Sequence, residues 1–170
     1  MTTMMLIAIA LMWFPVALFL HGKGEAKGTG AATGVVGIAT VVSAILQAAV
    51  FNDAHTAGLL LAHGIFYLSV SYALLAGLEN GIQAAGNVSL TVAFISAIYA
   101  VIFLVGTPKI PQNYYLGVAC IGYAVLTTEV WLFAYGKFPG KGLAWSLIIW
   151  VIIGLWIPAF SLHTTGKLPF

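Results

Sequence analysis

Six stretches of about 20 mostly apolar residues, parted by short polar connections, leave this chain almost no freedom of architecture. They run over 4–20, 30–51, 57–77, 88–106, 115–135 and 143–162. Twenty residues of helix rise about 30 Å, the thickness of a bilayer's hydrocarbon core. Only 6% of the 170 residues are Asp, Glu, Lys or Arg, and mean hydropathy is +1.07. A soluble domain carries about 25% charge to cover its surface in water. The chain is therefore read as an all-α membrane protein, a bundle of six transmembrane helices forming a single transmembrane domain over 1–170. Too few residues lie outside the spans to build a catalytic or nucleic-acid-binding lobe beyond the bilayer. Function has to live between the helices.

Smaller features narrow this further. The one cysteine, Cys120, allows no internal disulfide, and the histidines other than His63 fall outside the spans, so neither a metal site nor a cofactor is expected. Arginine is absent, which removes an Arg-rich voltage sensor. A net charge of +2 on scattered lysines offers nothing to nucleic acid. Lys23, Lys27, Lys137 and Lys141 fall in odd-numbered connections, against Lys109 and Lys167 on the other side. By the positive-inside rule both termini face outward.

A repeat marks the first and fifth connections. Leu18, Phe19, Gly22, Lys23, Lys27 and Gly28 recur 114 residues on as Leu132, Phe133, Gly136, Lys137, Lys141 and Gly142. The spacing suggests three repeated two-helix hairpins, although the middle copy, near 75–85, lacks the lysines. Convergence on a favourable turn explains the same identities. Gly30, Gly34, Gly37, Ala44 and Ala48 share one face of the second span, where small residues let backbones pack closely.

Candidate functional residues are those that lipid would reject. Glu129 stands inside the fifth span, where a carboxylate costs roughly 2.5 to 3.5 kcal/mol to insert. It either lines a polar interior beside Thr127 and Thr128 or lies protonated near the membrane interface. Thr56, His63, Tyr67 and Ser71 form a polar stripe on the third span, fit for a solute path or for interhelical hydrogen bonds. Trp150, mid-span in the sixth helix, should turn its indole inward, either to pack or to wall a flat slot with Trp145. No Ser/His or paired-carboxylate constellation lies in the spans, and no enzyme activity is expected.

The chain resembles the AmiS/UreI family of small six-helix urea and short-chain amide channels. The likeness rests on Tyr135-Gly136-Lys137 leading to Gly140-Lys141, on Trp156-Ile157-Pro158-Ala159 closing the sixth span, and on Phe66-Tyr67-Leu68 in the third. It implies a bacterial inner-membrane channel, one pore per protomer in a homo-oligomer, usually a hexamer, passing urea or an amide passively. Channel-lining residues on this reading are Glu129, Trp131, Trp145, Trp150, Tyr67, Ser69, His63 and Thr128. The chain also departs from the family. The sixth-span carboxylate of family urea channels falls on Trp150, for which Glu129 on the adjacent helix is a substitute, and the constriction tyrosine of the third span falls on Ser69. Leu126 and Val130 stand where fifth-span aromatics are expected. The long histidine-rich outer loops of acid-gated relatives are represented only by His55 and His163 on short segments, so little acid gating is expected. Two other readings stay open: a proton-coupled solute carrier using Glu129, and a membrane subunit that transports nothing.

Overall fold

A computed structural model describes residues 2–169, with only the backbone of Thr2. It contains six long helices and no strand among the described residues: α1 (Thr2–Leu20), α2 (Ala26–Ala49), α3 (Ala54–Ala76), α4 (Leu78–Val105), α5 (Tyr114–Ala134) and α6 (Gly140–Thr165). All six are long and apolar enough to cross a membrane. Helix α4 starts ten residues before the span read at 88–106. Gly77, at φ 93°, turns the chain in a single residue, and Glu79 then sits in the first turn of α4, where a negative charge complements the helix dipole. Leu78–Asn87, read as a polar connection, is the polar first turns of this helix.

The repeated turns share a physical cause. Gly22 donates to the Phe19 carbonyl at 2.8 Å and Lys23 to that of Leu18 at 2.9 Å; Gly136 donates to Phe133 at 2.9 Å and Lys137 to Leu132 at 2.8 Å. Both sets are the crossed bonds of a Schellman helix stop, which needs a left-handed residue. The glycines supply it at φ 77° and 69°. The identities at Leu18, Phe19, Gly22 and Lys23, repeated 114 residues on, are thus those of one helix-stopping device used twice. Close packing follows a different pairing: α2 lies along α3, α4 along α5, and α1 against α6. The tight pairs are offset by one helix from the hairpins that these turns close.

Small residues make the pairs tight. A methyl at Gly37 would stand 3.0 Å from the Leu68 side chain, and one at Gly64 2.7 Å from Val41. The Ser71 hydroxyl donates to the Gly30 carbonyl at 2.7 Å, tying α3 to α2. Between lipid-bathed helices there is little hydrophobic gain, so such dispersion contacts and interhelical hydrogen bonds hold the bundle.

Helix α6 is interrupted by a π-helical segment, Val151–Trp156. Pro158 has no N–H to return to the preceding turn, and the carbonyl of Gly154, four residues back, accepts from the Tyr115 hydroxyl at 3.4 Å. The segment drives Val151 and Leu155 fully into the core, beside Tyr67 and Leu126. Such π segments recur at functional sites.

Candidate functional site: two cavities in series

Two cavities lie within the bundle, walled mainly by α1, α3 and α5. One, of about 110 Å³, lies towards Asp53 and is lined by Met5 and Ile9 of α1, Gln47 of α2, Thr56 and His63 of α3, and Tyr123 of α5, among others. The other, of about 70 Å³, lies towards the Gly-Lys turns, between Val16, Val70, Thr127, Phe133 and Leu147. Tyr67 belongs to both.

Tyr67 forms a waist. It is 1% exposed and packs with Trp13 in the buried core. Trp13 meets the Tyr123 ring edge-on at 5.8 Å, and Phe66 lies 5.6 Å from Tyr67. Regular helix geometry puts these rings together: steps of three or four residues carry Met5, Ile9, Trp13, Val16 and Leu20 down one face of α1, and Tyr123 to Thr127 down α5.

The mouth towards Asp53 is fixed by a helix cap. Asp53 Oδ1 accepts from the Thr56 backbone N–H at 3.0 Å, and Oδ2 from Gln47 Nε2 at 2.8 Å. Partial burial raises the carboxyl's pKa, but the bonds from Thr56 and Gln47 and the nearby His55 outweigh it and hold the pKa below the usual 3.8. Gln47 is therefore anchored where it faces the cavity.

Of the eight residues read as channel-lining, Tyr67 and His63 line these cavities and the others lie elsewhere. Glu129 and Thr128 face an open groove between α4 and α5, with Ala97, Val101 and Val125. Glu129 Oε1 accepts from Ser146 of α6 at 3.1 Å. Thr128 donates to the Ala124 carbonyl of its own helix, and Ser69 likewise to Phe66, each at 2.7 Å. Trp131 lies tilted against Tyr135 at 5.8 Å, with the Lys137 ammonium 5.7 Å above its ring. Trp145 is 59% exposed and touches His21 edge-on. Trp150 turns inward, but it fills a notch over Gly122 and Gly154, where a methyl on Gly122 would collide with its ring. The polar stripe of α3 divides: Ser71 bonds α2, while Thr56, His63 and Tyr67 meet the cavities.

Sequence reasoning passed over Trp13, Tyr123 and Gln47 as lining residues. Trp13 reads as an interfacial belt residue, although its four-residue steps from Met5 and Ile9 place it deeper. Tyr123 and Thr127, one turn apart, were a legible polar stripe of α5.

The profile of the AmiS/UreI family transporters matches residues 1–165. No curated protein matches the chain. Among solved structures, the cryo-EM structure of the Helicobacter pylori urea channel in its closed state superposes with a TM-score of 0.84 at 19% identity, over 99% of this chain and all of that one. The crystal structure of the urea channel from the same organism gives 0.83 at 19% identity, with the same coverage. At that identity the likeness shows a shared fold.

Proposed function

Because the chain belongs to the AmiS/UreI family of transporters, we propose that it is a passive channel for urea or a small neutral amide, with one pore in each protomer. The single observation that carries this reading is the pair of cavities stacked end to end within the bundle, with Tyr67 as the wall they share. The shared fold with a urea channel supports it. A planar amide suits aromatic walls with a few fixed hydrogen-bonding groups, whereas an ion would need rings of carbonyls or charges. Trp13, Tyr67 and Tyr123 shape the waist, His63 and Gln47 meet the solute on one side, and Thr127 on the other. The protein sits in the bacterial inner membrane with both termini outside and assembles as a homo-oligomer, a hexamer by family resemblance. It performs no covalent chemistry.

Proton-coupled transport through Glu129 loses its support, since that carboxylate faces the α4–α5 groove and neither cavity. Stopped-flow shrink-swell of proteoliposomes with urea, acetamide, formamide and glycerol tests the proposal. Urea or amide entry should exceed that of protein-free vesicles about tenfold or more, equivalent to at least 1.4 kcal/mol of barrier. Entry at the protein-free rate for all four solutes defeats it, and accumulation driven by a pH gradient favours the carrier.

A further inference from the structure

Four buried side-chain atoms lack a hydrogen-bond partner among the described residues: His21 Nε2, His63 Nε2, Ser96 Oγ and Glu129 Oε2. Of these, only His63 lines a cavity on the axis through Tyr67. The residue is 5% exposed, and its Nδ1 lies 3.0 Å from the Leu59 carbonyl. A carbonyl oxygen can only accept, so in the neutral ring the proton resides on Nδ1 and Nε2 presents a lone pair. A buried acceptor left unmet is costly, and here no protein group meets it.

The surroundings complete a small-molecule cradle. The Tyr123 and Tyr67 rings stand 5.2 and 6.0 Å from the imidazole. Gln47 gives its N–H to Asp53, which leaves its Oε1 as a second acceptor in the same cavity. We infer that this cavity is a binding subsite for a primary amide, with His63 Nε2 accepting a solute N–H while a tyrosine hydroxyl donates to the solute carbonyl. The inference rests on the channel reading and names the residue that makes an N–H donor a requirement. Leu59 fixes the tautomer, so selection follows from which nitrogen is left bare. A ketone of the same shape brings no donor and leaves Nε2 unmet.

Two measurements on the full-length protein test this. In nanodiscs, with the His63 resonances assigned by difference against His63→Gln, the pyridine-type 15N signal of Nε2 should shift on adding acetamide and stay put with acetone, its N–H-free analogue. In proteoliposomes, His63→Leu should lower urea and acetamide flux about fivefold, while His63→Gln, which restores an acceptor, should keep at least about half. An unmoved Nε2 signal with acetamide, an equal shift with acetone, or wild-type flux in His63→Leu overturns the assignment. The nanodisc measurement uses wild-type protein, so it decides the matter even if His63→Leu fails to fold. Wild-type vesicles that pass no amide would overturn the channel reading, while the acetamide-against-acetone comparison would still report on this subsite.

Discussion

The two cavities share Tyr67 and little else. Towards Asp53 the wall offers an imidazole, a carboxamide, a threonine and a second tyrosine. Towards the Gly-Lys turns, Thr127 is the one polar side chain added to Trp13 and Tyr67 among the described residues, and apolar side chains supply the rest. The contrast suits a conducting path. A polar chamber replaces the hydration of an entering amide, and an apolar one holds it too weakly to detain it. The waist couples them, since a solute leaving His63 reaches the Tyr67 hydroxyl before meeting bare hydrocarbon.

The largest effect is expected from filling the apolar chamber. Val70→Trp places an indole in a cavity of about 70 Å³ and should cut urea flux about tenfold or more in shrink-swell assays, without moving the acetamide-dependent signal of His63. Tyr67→Phe strips the hydroxyl from the residue that both chambers share. Loss of one hydrogen bond to a passing solute, about 1 kcal/mol, corresponds to a roughly fivefold fall in flux.

Asp53→Ala loosens only the polar mouth, by removing the α3 cap and the Gln47 anchor, and should cost about 1 kcal/mol in thermal or denaturant unfolding. The pKa of Asp53 is depressed on folding, so its contribution is whole above the unfolded pKa and is lost as pH falls through the folded one. Its share of stability should therefore be the same at pH 7 and pH 5 and decline only below about pH 4, seen as the gap in unfolding midpoint between wild type and Asp53→Ala closing there. The smallest effect belongs to the groove outside both chambers: Glu129→Gln should change urea flux by less than about twofold, and a larger loss would return Glu129 to the path.

Six helices, their approximate limits and the family were legible because the bilayer imposes a length and a composition on every span. The Gly-Lys stops were legible as a repeat, since only a residue at ease with positive φ closes that turn. The small-residue face of α2 likewise read as packing, and Gly30 and Gly37 do meet α3. The start of α4 was hidden by Glu79, Asn80 and Gln83, which look like a loop until Gly77 is seen to turn the chain alone. Glu129 is harder to read for a related reason. Polarity marks a residue that avoids lipid tails, and Ser146 on a neighbouring helix meets one of its carboxylate oxygens without any lumen.

By itself the sequence determined how many times the chain crosses the membrane, where it turns and which transporters it is related to. Which way each helix is rotated was decided only in three dimensions. Trp13, 5% exposed at the waist, and Trp145, 59% exposed on the outside, both stand inside spans read from the sequence. Acyl chains and a protein core are equally apolar, so burial against one or the other leaves no contrast in the amino-acid pattern. The inward face emerges only when glycines let helices close on each other, and when the rings of Trp13, Tyr67 and Tyr123 meet around a space that none of them fills.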